Sequence, residues 1–152
     1  MKIIPTNEKI DVETIVVPHD HHNGTKRGLN NMYLFNLSGM KVLHVGDLGC
    51  IPNQNILDLI AGVDVILAPI NGFYTISAKE LHEICEIIKP RIVIPVHYYR
   101  KEHNSGYPDG NQIDIFKQLF NEYLEVNDYR LKITKDKPQS GAVIFKEYYQ
   151  GE

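Results

Sequence analysis

Val42-Leu43-His44-Val45-Gly46-Asp47-Leu48-Gly49 reads as a buried strand that runs directly into a glycine-flanked carboxylate. The apolar residues suit the strand. Gly46 and Gly49 allow a sharp backbone turn that leaves Asp47 at the strand's C-terminal end. Upstream lies a loop with four coordinating side chains in a row, His19, Asp20, His21 and His22, and downstream Pro95-Val96-His97-Tyr98 closes another apolar run. A carboxylate flanked in sequence by imidazoles, each following a strand, is the residue pattern of a metal site.

The rest of the chain sets the frame for that stretch. At 152 residues it is long enough for one domain with its own core. The net charge of −3 gives no support for a nucleic-acid partner, which would call for a basic balance or face. No apolar run approaches the roughly 20 residues of a membrane span, so no membrane association is expected. Cys50 and Cys85 form no disulfide framework, and Met1 to Asn7 carry no signal-peptide pattern, so a cytoplasmic location is expected.

Residues 14–17 form a short strand ended by Pro18. Residues 31–37 and 41–45 pair as a hairpin across Ser38-Gly39. From residue 53 the period changes to helical: Ile56, Leu57 and Ile60 suit a short helix capped by Asn53. Val63 to Ile70 and Arg91 to Val96 are near-continuous apolar runs, the mark of strands buried on both faces. Between them Ser77-Ala78-Lys79-Glu80 forms a capping box. It opens a helix whose apolar stripe is Ala78, Leu81, Ile84, Cys85 and Ile88, stopped by Pro90. Phe116, Leu119, Phe120, Tyr123 and Leu124 suggest a third helix, and two strands are expected near Tyr129–Ile133 and Ala142–Tyr148. The predicted class is α/β, with a mixed sheet and flanking helices.

His19, Asp47 and His97 each follow a strand, and imidazole and carboxylate are the ligand types for zinc, iron(II) or manganese. Each alone has an ordinary structural explanation: a satisfied histidine, or a carboxylate that holds a turn. Four separated motifs add a resemblance. They are His19-Asp20 with Arg27-Gly28-Leu29-Asn30; His44 with Gly46-Asp47-Leu48-Gly49; Pro69 to Thr75; and Lys89-Pro90-Arg91-Ile92-Val93-Ile94-Pro95-Val96-His97-Tyr98. In order and spacing, over roughly residues 1–125, they resemble the second half of the metallo-β-lactamase superfamily, in the branch of bacterial metal-dependent hydrolases that resemble ascorbate-6-phosphate lactonase. The resemblance implies the C-terminal half of an αββα sandwich and a divalent metal cofactor, zinc first, with iron or manganese as alternatives. It implies His19 and His97 as ligands of separate metals and Asp47 as the carboxylate bridging them. Asp20, Arg27, Asn30 and Thr75 match substrate-side or supporting positions. Asn71 stands where the family has a glycine, which would narrow the pocket mouth.

The family's His-x-His-x-Asp-His motif does not occur in this sequence. Residues 1–152 are therefore expected to form a single partial domain whose three ligands are too few for two catalytic metals. The implied activity, hydrolysis of an ester, lactone or phosphoester in a small-molecule substrate, would need complementary ligands. An uncovered sheet face and edge would call for a partner, either a second copy or a separate first-half chain. The alternatives are a non-catalytic half-domain that acts as a binding or oligomerisation module, and a ligand-binding α/β domain unrelated to metals.

The remaining polar residues are expected to have plainer roles. His44 is expected in the core or behind a ligand, Cys50 as a small filler and Cys85 in the core. His82 is expected in solvent, and Asp20 as the holder of a ligand histidine. Arg27 is expected either to pair with a substrate phosphate or carboxylate, or to bond to Asp20 or Glu13. His103 lies on a long loop after His97, read as exposed in preference to a substrate lid.

Overall fold

In a computed structural model of the chain, residues 10–101, 110–136 and 140–146 are described. The elements are β1 (Asp11–Pro18), β2 (Leu29–Leu37), β3 (Met40–His44), α1 (Gln54–Leu59), β4 (Val65–Pro69), α2 (Ala78–Ile88), β5 (Ile92–Val96), α3 (Gln112–Leu119), β6 (Tyr123–Val126) and β7 (Gly141–Phe145). The strands make a seven-stranded sheet in the order β1-β2-β3-β4-β5-β7-β6. β1, β2 and β3 pair antiparallel; β3, β4, β5, β7 and β6 pair parallel. The sheet is therefore mixed, as the sequence predicts.

Local chemistry accounts for the elements. The β2–β3 hairpin turns at Ser38 and Gly39, both at positive φ (50° and 74°), the geometry that matches the strands' twist. Asn53 caps α1 by accepting from the Ile56 amide. The Ser77–Glu80 capping box opens α2, and its predicted stripe is the set of residues it buries. α2 ends at Lys89 in the left-handed conformation, one residue before Pro90. Every residue of β4 is buried, because parallel strands in the sheet's centre are covered on both sides.

Pleating divides the sheet residues between two apolar clusters. Ile15, Val17, Met32, Leu43, Ile66, Ala68, Val93 and Ile144 face all three helices, with Leu57 of α1, Leu81 and Ile84 of α2, and Phe116 of α3. Val65, Leu67, Ile92, Ile94 and Val143 face the other way and are packed by Leu131 and Ile133 of the chain after β6. Among the described residues no helix lies on that second face. Towards the β1 edge it is open, with Val12 and Val16 49% and 56% exposed, beside exposed Leu29 and Tyr33.

Two expectations fail near the C-terminus. The third helix ends at Leu119, and Tyr123 and Leu124 belong to β6. Their spacing suits a helix stripe, but their backbone groups are taken up by the parallel ladder with β7. Residues 129–133 form no strand; Leu131 and Ile133 instead pack on the second cluster. The other terminal strand is found at Gly141–Phe145; the predicted end at Tyr148 lies outside the described residues, as does His103.

Candidate metal centre

Asp47 owes its position to one side chain. After β3, the Val45 amide bonds to the Leu67 carbonyl (3.0 Å), which extends the sheet by one residue before the chain turns. Asn30, buried on β2, then clamps the turn from both sides. Its Nδ2 donates to the Val45 carbonyl (2.8 Å) and its Oδ1 accepts from the Asp47 amide (2.9 Å). Gly46 sits inside the clamp at φ +60°, and a Cβ there would lie 2.4 Å from Asn30 Oδ1 and 2.6 Å from the Asn31 carbonyl oxygen. Only glycine fits this turn. Asn30, predicted beside the pocket, thus aims the strand end that carries Asp47.

Two residues past Asp47, a Cβ on Gly49 would meet the His19 carbonyl oxygen at 2.1 Å. The missing side chain lets the His19-Asp20 peptide lie directly on the Asp47 turn. The upstream loop is closed by the His19 amide on the Gly28 carbonyl (3.0 Å) and held from within by Asp20. The Asp20 carboxylate accepts from the amides of His22 (2.7 Å), Gly24 (3.0 Å), Lys26 (3.1 Å) and Arg27 (2.7 Å). Burial pushes its pKa up, but these four donors outweigh it and bring it down to about 2. Asp20 is therefore the loop's internal strut and not, as expected, the holder of an imidazole. The oxygens that would have reached a histidine are spent on backbone amides.

His97 follows β5 directly and has φ 52°, a left-handed conformation that is rare for a non-glycine residue and concentrated at functional positions. Its Nδ1 lies 3.2 Å from Asp47 Oδ1. The structure thus brings together two of the three predicted ligands from strand ends on either side of β4. His19 Nε2 is buried and has no hydrogen-bond partner among the described residues. These features fit a metal-facing role for each residue taken singly. As a set they are too few: among the described residues no group of three or more His, Cys, Asp or Glu side chains is placed to hold a metal ion. The donors in hand fit one side of a divalent centre and do not make a whole one.

The loop after β4 seals the space between the two strand ends. It is tied to β5 by the Ile70 amide on the Val96 carbonyl (3.1 Å), and to the Asp47 turn by the Ile76 amide on the Leu48 carbonyl (2.8 Å). Asn71 is buried and its Oδ1 accepts from the Phe73 and Tyr74 amides, while the buried Thr75 hydroxyl accepts from the Asn71 amide. Thr75 therefore braces this loop. The Arg27 guanidinium reaches neither Asp20 nor Glu13. It donates to the Tyr74 carbonyl (3.2 Å) and lies over the Tyr74 ring at 5.3 Å.

His44 is half-buried and its Nδ1 accepts from the Gly46 amide (3.0 Å); burial holds its pKa below the ordinary histidine value. This is a structural role behind the turn, as expected. Cys85 is core, its thiol pushed up to about 12 by burial, and Cys50 is half-buried with its thiol also raised, chiefly by burial. His82 is not simply solvated: its ring meets Phe120 edge-on at 5.2 Å. Sequence reasoning missed the clamp of Asn30 around Gly46 and the left-handed backbone of His97. Neither has a local signal, since the clamp spans 15 and 17 residues and a histidine carries no mark of positive φ.

A mixed sheet with its helices on one face, and a carboxylate–imidazole pair at the C-terminal ends of strands flanking its centre, defines an α/β protein with a candidate metal site at its strand ends. The chain belongs to the beta-lactamase superfamily domain family, whose model matches residues 5–97. It is similar to a UPF0173 metal-dependent hydrolase of Thermococcus onnurineus, 32% identical over 76% of this chain and 51% of the relative, and to one of Pyrococcus furiosus, 32% identical over 78% of this chain and 52% of the relative. A crystal structure of a candidate Zn-dependent hydrolase of the metallo-β-lactamase superfamily from Thermotoga maritima superposes with a TM-score of 0.73 at 27% identity, covering 90% of this chain and 64% of that one. The chain spans about half the length of the curated relatives it matches. No helix among the described residues is long and apolar enough to cross a membrane.

Proposed function

We propose that this chain supplies His19, Asp47 and His97 to the divalent-metal centre of a hydrolase acting on an ester, lactone or phosphoester. The observation that carries the reading is the 3.2 Å approach of His97 Nδ1 to Asp47 Oδ1, between strand ends that the Asn30 clamp and the left-handed His97 backbone hold in place. The relatives named as metal-dependent hydrolases support the same chemistry. The bound metal would polarise the substrate carbonyl or phosphoryl oxygen and lower the pKa of water. The part of this chain is to aim donors: Asn30 fixes the Asp47 backbone, Gly49 seats the His19 peptide, and the Asp20 strut keeps that loop closed. The remaining donors would come from a complementary segment, in a longer polypeptide or in a second chain, with residues 1–152 as one partial domain. Zinc heads the ligand chemistry, with iron or manganese as alternatives.

Titration of the full chain with Zn²⁺, followed by nuclear magnetic resonance, tests this. Saturable shifts at His19, Asp47 and His97, reduced at least tenfold in affinity by Asp47→Asn and His97→Ala, are expected. No saturable response of these residues to millimolar zinc or manganese would sink the reading.

A second reading, a binding or oligomerisation half-domain, is favoured by the open sheet face at Val12, Val16, Leu29 and Tyr33. Under it, His19, Asp47 and His97 could all become alanine without loss of assembly with a second copy or a first-half chain. Sedimentation velocity separates the two readings.

A further inference from the structure

Starting one residue along the chain from His97, the structure holds a cleft of about 300 Å³ whose lining includes neither Asp47 nor His97. It opens at the C-terminal ends of β5 and β7 and the start of α3, and Tyr98, next to His97, lines it. Among the described residues its lining carries Arg100, Lys101, Lys117 and Lys146 against Asp114 and Glu125, two cations in excess, in a chain whose net charge is −3. Three of the four cations are held in place. Arg100 donates to the Phe145 and Lys146 carbonyls, and Glu125 binds Lys117 (2.8 Å) and Lys146 at once. One carboxylate shared between two ammonium groups leaves the pair net positive. The hydrogen bond to Glu125 holds Lys117 above the ordinary lysine pKa, so it stays charged. The first turn of α3, the positive end of an eight-residue helix, also lines the cleft. Independently of these charges, Asn71 lines the cleft while only 2% exposed, and its Nδ2 has no acceptor among the described residues. An amide donor buried without a partner is costly unless a ligand takes it up.

We propose that this cleft is an anion subsite that receives a phosphoryl or carboxylate group of the ligand handled at the adjoining Asp47–His97 centre. The link to that centre rests on the hydrolase reading above; the anion site itself rests on the cleft alone. Immobilised guanidinium and ammonium groups together with an amide donor recognise oxyanions by charge-assisted hydrogen bonds. A neutral ester or an uncharged sugar would leave the excess positive charge of the described lining and the Asn71 amide unanswered. The substrate class is thus narrowed to molecules that carry a fixed negative group a short distance from the bond to be hydrolysed.

The test uses the full chain, treated with a chelator and dialysed, with inorganic phosphate and acetate as probes at low ionic strength. Backbone amide shifts are read by nuclear magnetic resonance. Saturable shifts are expected at Gln112, Ile113 and Lys117, together with the Asn71 side-chain amide. Lys101→Glu, at an exposed position, should weaken phosphate binding roughly five- to tenfold, and Lys117→Gln should do the same. Lys132→Glu, the same charge change at an exposed lysine outside the lining, should leave it within about twofold. Which probe binds more tightly assigns the group as phosphoryl or carboxylate. Absence of saturable shifts with either probe, or equal weakening by Lys132→Glu, overturns the inference. Because no metal is present, the outcome is separate from that of the zinc titration. Phosphate binding without zinc binding would keep the anion site and remove the hydrolase, and zinc binding without phosphate binding would do the reverse.

Discussion

The two faces of the sheet are built from the same kinds of residue and live in different surroundings. On the helix side, Met32, Leu43 and Ile66 are fully buried beneath α1, α2 and α3. On the other side the apolar layer is complete only from β4 to β7, where Leu131 and Ile133 fold over it, and Val12 and Val16 stand half in water. β-branched residues in a strand record that a face is apolar; they do not record what covers it. The site lies at the rim between these faces. Val45 and Leu48, on either side of Asp47, are anchored in the helix-side core, whereas His44 sits in the strand position opposite Tyr33 on the open face.

Substitutions can break or sharpen this contrast. Ile66→Ala on the covered face removes packed volume with no room to relax and should cost about 2–5 kcal/mol in urea unfolding. At the rim, Gly46→Ala must displace Asn30 and hold alanine at φ +60°, at a cost of roughly 1–3 kcal/mol. Asn30→Ala, which orphans the Val45 carbonyl and the Asp47 amide, should cost a similar amount. Zinc affinity should fall in both, because Asp47 is no longer aimed. Smallest of all, Val16→Thr on the open face should change stability by no more than about 0.5 kcal/mol. If Val16→Thr costs as much as a core substitution, the open face is covered in solution by another copy of the chain.

Acid titration probes the rim differently. The Asp20 carboxyl has its folded pKa lowered from 3.8 to about 2, so it is bound more favourably as the anion when folded. Its contribution is fully present above the unfolded value and is lost as the pH falls from about 4 towards 2. Fluorescence-monitored acid unfolding of Asp20→Asn should therefore be less steep over that window than that of the unaltered chain. An identical slope would mean that the four amide bonds to Asp20 do not persist in solution.

The elements that were legible share a local cause. The capping box of α2, the Asn53 cap of α1, the Ser38-Gly39 turn and the unbroken apolar runs of β4 and β5 each act over a few residues. Where local signals compete, reading fails. Tyr123 and Leu124 suit a helix stripe and a strand alike, and the parallel ladder with β7 decides between them. Asp20 shows the same limit at the site. An aspartate after a histidine suits a role in holding an imidazole, but the fold of residues 20–28 presents it with four amides first.

The sequence by itself determined the α/β class, the order of the elements as far as β5 and the strand-end placement of His19, Asp47 and His97, because periodicity, caps and turns act between near neighbours. Only the tertiary structure decided that His97 meets Asp47, that Asn30 clamps the turn, and that the second sheet face is open towards β1 but covered from β4 to β7. It also decided that Asn71, Arg100, Lys117 and Lys146 gather around one cleft. These are contacts between residues far apart in the chain, set by strand order and pleat, and no short stretch of sequence carries them.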